Sequence, residues 1–363
     1  MSDIARLNDF GQSPWYDNLA RSLLTGGGLA ALINTDGIRG VTSNPTIFEK
    51  AMAAGEGYDE QLAACGKEGL SIEDSYWRLV VDDVGHAADL LLPVHEASAG
   101  ADGFVSVEVS PDLAHDTAGT IAQAKSLFER LGRKNVMIKI PATLEGLPAI
   151  EANIAAGINT NVTLIFSLAR HDKVIDAFLA GLDSFVAGGG DPSTVSSVAS
   201  FFVSRVDTET DRRLPEGSPL GGKAAVANAR LAYRLFTQRF SGQRWDALAA
   251  KGARLQRPLW ASTSTKNPAY SPTLYIDELI GRNTVNTLAP ASIEALQNGD
   301  GNLKGDTVTN DMAGTDQVMV DLAAAGVDFD DVTLTLEREG VASFASSFHD
   351  ALATLEQRRA EVA

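Results

Sequence analysis

Lys139 lies inside Val136-Met-Ile-Lys-Ile-Pro-Ala-Thr143, a run in which β-branched and apolar residues flank a single ammonium. Burial disfavours the charged form of such a group, and the neutral amine is a nucleophile able to form a Schiff base with a carbonyl substrate. The competing reading is an edge-strand lysine whose stem covers apolar surface while its tip reaches water. For one isolated lysine the second reading is the stronger, because a perturbed group marks function only in the right company.

That company stands at the ends of other β-branched runs. Such runs occur at 14–17, 39–43, 103–109, 135–140, 159–166, 198–204, 258–262 and 283–288. The first ends at Asp17, the second leads into Ser43-Asn44-Pro45, and the third carries Glu108. The fourth carries Lys139, the fifth Asn161 and Thr163, the sixth Ser200, Phe202 and Arg205, and the seventh Ser262. Strand alternation puts Asn159, Asn161 and Thr163 on one side, and likewise Ser200, Phe202 and Ser204. Singly, each has an ordinary role: Asp17 can cap a following helix, Asn44 can be a turn residue before Pro45, and Glu108 can be an exposed carboxylate. Jointly, they form a ring of hydrogen-bonding groups that suits a polyhydroxylated substrate, since buried polar groups need partners.

Eight short strands alternating with helical patterns between about 14 and 290 predict repeated βα units, and eight units suggest a closed (β/α)₈ barrel. An open doubly wound sheet has the same periodicity. Ser71-Ile-Glu73-Asp74 reads as a capped start to an amphipathic helix over 71–92. Helical insertions near 58–98 and 206–250, and C-terminal helices near 313–360 (313–325 and 337–360), are too short for separate cores. The expected organisation is one barrel domain over 1–363.

The charge balance excludes several function classes. Lys plus Arg total 30 against 47 Asp plus Glu, a formal charge of −17, which opposes a broad basic face for nucleic acid. An anionic substrate must then be met by a few local cations. The single cysteine, Cys65, cannot form an intrachain disulfide, and the first residues lack a basic segment followed by an apolar core. With no apolar stretch long enough for a bilayer, a soluble cytoplasmic protein without membrane partners is expected, as monomer or homodimer. His86, His95, His115, His171 and His349 show no metal-ligand spacing and are read as surface or helix residues, so no metal site is expected.

Three segments carry a resemblance. Gly40-Val-Thr-Ser-Asn-Pro-Thr-Ile-Phe48, Val136-Met-Ile-Lys-Ile-Pro-Ala-Thr143 and Asn161-Val-Thr-Leu-Ile-Phe-Ser167 resemble, in order, segments of the transaldolases, class I Schiff-base enzymes. The similarity runs from about Leu7 to Leu355, and the lengthened helical regions resemble the longer bacterial form. It implies a (β/α)₈ barrel that moves a dihydroxyacetone unit from fructose 6-phosphate or sedoheptulose 7-phosphate to an aldose phosphate, in the non-oxidative pentose phosphate route. By this resemblance Lys139 would attack the ketose carbonyl, Glu108 and Thr163 would hold a proton-shuttling water, and Asp17 would take the C4 hydroxyl proton. Asn44 and Asn161 would hold hydroxyls of the retained unit, with Ser200 assisting and Phe202 keeping loose water away. Arg205 matches a phosphate-binding arginine, while Ser262 and Lys266 are assigned to the second phosphate contact although their spacing differs from shorter relatives. A protonated imine is itself the electron sink, so no cofactor is implied. A simple aldolase releasing free dihydroxyacetone, or a non-catalytic sugar-phosphate-binding barrel, remain the alternatives; the presence of both Lys139 and Asp17 argues against the second.

Overall fold

The computed structural model describes residues 2–362, so the first and last residues of the 1–363 span lie outside the description. Eight strands, β1 (Gln12–Asp17), β2 (Gly40–Thr42), β3 (Phe104–Glu108), β4 (Val136–Pro141), β5 (Thr160–Ile165), β6 (Ser197–Phe202), β7 (Gln256–Ala261) and β8 (Thr284–Leu288), pair in parallel and in order. β8 closes on β1, so the sheet is a barrel and the open doubly wound alternative is excluded. Parallel strands covered by helices are buried on both faces. β4, Val-Met-Ile-Lys-Ile-Pro, shows the consequence, because all six of its residues are buried, the lysine included.

Two local features bend this pattern near the chemistry. At Gly40, the start of β2, a Cβ would lie 2.5 Å from the Trp15 ring, so only glycine allows the β1–β2 pair to close over that indole. In β5 the pairing with β6 shifts between Val162 and Ile165, and Leu164 adopts φ 60°. Such a bulge reverses the facing of residues beyond it, so simple alternation holds only as far as Thr163.

The helical insertions contain Asp59–Lys67 and Ile72–Ala97 in the first, and Ser204–Arg213, Ala224–Arg239 and Gln243–Ala249 in the second. Ile72–Ala97 outruns its expected end at residue 92 by continuing through Pro93. Packing holds that last turn: His95 Nδ1 lies 2.8 Å from the Asp102 carbonyl, and its ring meets Phe104 edge-on. The helices after β8 include Met312–Ala324 and Phe329–Val362. The second begins earlier than the expected 337, with Asp330 and Asp331 favourably placed in its first turn and Val332 and Leu336 buried.

This C-terminal helix crosses the mouth of the barrel. Salt bridges tie it to segments following two of the strands, Asp331 to Arg213 and Glu337 to Arg170, and His349 Nε2 lies 3.1 Å from Asp112 Oδ2. Thr46 and Ser347 share a hydrogen bond of 2.8 Å, and Gly340 sits against Leu164 at the β5 bulge. Among the described residues no helix is long and apolar enough to cross a membrane.

Candidate active site

Register places the central pair. Glu108 on β3 is the Cα partner of Lys139 on β4, which in turn partners Asn161 on β5, and Pro141 partners Thr163. Partner residues on neighbouring parallel strands stand about 4.8 Å apart and face the same way. Lys139 Nζ therefore lies 3.2 Å from Glu108 Oε2, with the two side chains only 6% and 5% exposed. It also donates to the Ser43 carbonyl at 3.2 Å and sits 5.6 Å from the centre of the Phe344 ring. Neither a snorkelling lysine nor an exposed glutamate survives these numbers. The expected apolar setting of the amine is also incomplete, because its nearest charge comes from the adjacent strand.

Burial raises the pKa of the Glu108 carboxyl, with a smaller push in the same direction from Asp17 and an opposing pull from Lys139. The burial has a visible source. Behind Glu108 lies an aromatic cluster of Phe48, Tyr76, Trp77 and Phe348, in which Tyr76 meets both Trp77 and Phe348 edge-on at 5.1 Å. Glu108 Oε2 has the ammonium at ion-pair distance but no aligned hydrogen-bond donor, and Thr163 Oγ1 has no partner at all. Two buried polar atoms in this state suit a water or a substrate hydroxyl.

Lys139 opens on a cavity of about 160 Å³ at the C-terminal end of the strands, where barrels of this kind carry their chemistry. Asp17, Asn44, Thr163, Ser200, Phe202, Arg205, Ser262 and Lys266 line the same cavity. Asp17 does not cap a helix; its Oδ1 accepts from Thr42 Oγ1 at 2.7 Å. Asn44 does cap one, accepting from the Ile47 N–H at 3.0 Å, and still borders the cavity.

Asn161 sits behind this wall. Ser200 Oγ donates to its Oδ1 at 2.7 Å and its Nδ2 donates to Ser106 Oγ at 3.0 Å, so it reaches the cavity through Ser200. Asn159 does not share that convergence: it precedes β5, and its amide donates to the Lys134 and Val136 carbonyls. Ser204 likewise leaves the ring, because β6 ends at Phe202 and Ser204 starts a helix, its hydroxyl 2.9 Å from that of Ser262.

The cavity has a cationic side. The Arg205 guanidinium stands 5.6 Å from the Phe202 ring, and Lys266 donates to Ser264 at 2.9 Å. Burial lowers the pKa of both, and Arg205 and Lys50 push Lys266 further down while Asp17 opposes. Arg205 is half-buried and Lys266 exposed; cations that repel one another gain from a bound anion, and phosphate suits the planar arginine fork.

Thr42, Thr263, Ser264, Thr287, Lys50 and Phe344 were not among the expected site residues, yet they border the cavity or its outer groove. Thr42 was within reach, since it lies in the second run two residues before Asn44. Phe344 was not, because it lies within a helical stretch that carries no sign of chemistry. Among the described residues no three His, Cys, Asp or Glu side chains are grouped to hold a metal ion.

Known proteins are similar to this chain over nearly its whole length. The family described as transaldolase/fructose-6-phosphate aldolase matches residues 14–355. A transaldolase of Saccharopolyspora erythraea is 48% identical over 98% of each chain. Transaldolase 1 of Streptomyces avermitilis is 50% identical over 97% of this chain and 94% of its own. A transaldolase of Mycobacterium leprae is 48% identical over 99% of this chain and 98% of its own.

Proposed function

The chain belongs to the transaldolase/fructose-6-phosphate aldolase family, and we propose that it is a transaldolase in which Lys139 carries a dihydroxyacetone unit as a Schiff base. The donors are fructose 6-phosphate or sedoheptulose 7-phosphate, and the acceptors erythrose 4-phosphate or glyceraldehyde 3-phosphate, in the non-oxidative pentose phosphate route. The observation that carries this reading is Lys139, paired with buried Glu108, opening on the same cavity as Asp17.

In this mechanism the neutral Lys139 amine adds to the C2 carbonyl of the ketose. Glu108, with a water shared with Thr163, moves protons so that the carbinolamine oxygen departs as water and a protonated imine remains. Asp17 takes the C4 hydroxyl proton, the C3–C4 bond breaks, and its electron pair flows into the imine to give an enamine as the aldose phosphate leaves. An acceptor aldehyde runs the same steps backwards. Thr42 orients Asp17. Asn44 and Ser200 hold hydroxyls of the retained unit, and Asn161 joins them by exchanging one of its present hydrogen bonds. Arg205, Lys266 and Ser262 bind phosphate, and Phe202 backs the arginine.

The same reading takes residues 1–363 as one barrel domain working in the cytoplasm, as monomer or homodimer. The formal charge of −17 supports small sugar phosphates over nucleic acid as partners.

Borohydride reduction in the presence of fructose 6-phosphate, followed by intact-mass measurement, tests the assignment. Wild type is expected to gain one reduced three-carbon adduct and Lys139→Met none. An adduct that persists in Lys139→Met would assign the nucleophile to another lysine.

A further inference from the structure

The amine has one aromatic neighbour that the mechanism above leaves unused. Phe344, on the C-terminal helix Phe329–Val362, is 4% exposed and holds its ring centre 5.6 Å from Lys139 Nζ. It borders the inner cavity with Lys139 and Asp17, and also the outer groove with Asn18 and Lys50. The ring thus stands between the amine and the more open compartment. Much of the remaining wall around the amine is polar, contributed by Thr42, Asn44, Thr163 and Ser200.

The support of this ring is firm on both sides. Towards its N-terminus the helix is fixed by the Glu337–Arg170 pair at 3.1 Å and by Gly340 against Leu164, where a Cβ would come within 2.9 Å of the leucine. Towards its C-terminus Ser347 bonds Thr46, and Arg358 pairs with Asp59. Phe344 is accordingly a wall held in place, with no loop or hinge at its position.

We infer that Phe344 decides between transfer and hydrolysis by shielding the Lys139 adduct from water. This rests on the Schiff-base reading given above. Two fates compete for the enamine. In transfer its carbon attacks an aldehyde carbonyl and a new C–C bond forms. In hydrolysis that carbon takes a proton, water adds to C2 of the resulting iminium ion, and the C–N bond breaks. Free dihydroxyacetone leaves, the nitrogen keeps the bonding pair, and both protons of the water pass to it, regenerating the lysine ammonium. Transfer too ends with water adding at C2, so the two fates divide at the enamine carbon, where an apolar ring beside Nζ offers a proton-donating water no hydrogen bond and occupies part of its approach.

The test measures free dihydroxyacetone against transferred product, with fructose 6-phosphate as donor and erythrose 4-phosphate as acceptor, in wild type, Phe344→Leu and Phe344→Ala. Release relative to transfer is expected to rise about tenfold in Phe344→Ala and by a smaller factor in Phe344→Leu, which keeps apolar bulk. A purely structural role would lower both products in proportion, and an unchanged ratio in the folded variants overturns the inference. Thermal unfolding identifies which variants are folded, and Phe344→Leu alone suffices if the alanine variant is not. Borohydride trapping on the same samples separates the two levels. No adduct on wild-type Lys139 sinks the Schiff-base reading, whereas a trapped adduct with an unmoved ratio sinks only the role of Phe344.

Discussion

Glu108 and Lys139 are register partners on adjacent parallel strands, and their tips meet 3.2 Å apart with 5% and 6% of each side chain exposed. Removing one member of such a pair leaves the other charge buried alone, so the two act as a unit. Proton traffic at the amine runs through a carboxyl whose affinity for protons is raised, first by burial and then by the nearby Asp17, against the pull of Lys139.

The first prediction concerns that carboxyl. If deprotonated Glu108 accepts protons during imine formation, kcat rises with pH along a limb whose midpoint lies above the ordinary carboxylate value of 4.5. Glu108→Gln, which is nearly the same shape, should lower kcat by about 10²-fold or more and remove the limb. A pH–rate profile of both proteins checks this. The same limb in Glu108→Gln would assign it to another group.

The phosphate side of the cavity gives a second. Arg205→Lys keeps the charge but loses the planar fork, and a charge-assisted hydrogen bond contributes about 1.5–3 kcal/mol. KM for fructose 6-phosphate should rise about tenfold or more, with a smaller change in kcat. Unphosphorylated fructose serves as the control, and an equal loss with both sugars would move the anion site elsewhere.

Thr42 donates to Asp17 Oδ1 at 2.7 Å, so it holds the proposed general base without itself touching the reacting atoms. Thr42→Val should lower kcat several-fold at nearly unchanged KM, and Thr42→Ser should restore it. Orientation effects of this kind act on the chemical step more than on binding. A Thr42→Ser variant as slow as Thr42→Val would mean that packing of the methyl group, not the hydrogen bond, is what matters.

His171 predicts a dependence of stability on acid that is separate from catalysis. It is fully buried, neither ring nitrogen has a hydrogen-bond partner, and burial pushes its pKa from 6.5 down to about 4. Because the unfolded chain binds the proton more readily, stability is complete above 6.5 and is lost as pH falls towards about 4. The shift corresponds to roughly 3 kcal/mol at its limit. His171→Leu should therefore gain on wild type between pH 7.5 and pH 5 in denaturant titrations. A constant difference across that range would show that His171 does not titrate in this way.

The strands and the hallmark segments were legible because they are local. Runs rich in β-branched or aromatic residues declare strands through their own sterics, and Asp17, Asn44, Glu108, Lys139 and Thr163 are placed near strand ends by position alone. The sequence by itself therefore determined the barrel's elements and the residue types at its mouth. It also pointed to the amine, since an ammonium in a buried run is out of place whatever surrounds it.

Tertiary structure decided which tips meet. The pairing of Glu108 with Lys139 depends on inter-strand register, and the withdrawal of Asn159 and Ser204 depends on where β5 begins and where β6 ends. The β5 bulge ends the alternation at Thr163, and Asn161 is turned towards Ser106 and Ser200 by hydrogen bonds to other strands. Phe344 reaches the amine only because a helix following the last strand returns across the mouth. None of these contacts leaves a pattern in its own stretch of chain. Local propensity acts over a few residues, while register, bulges and helix docking are set by the packing of segments far apart in sequence.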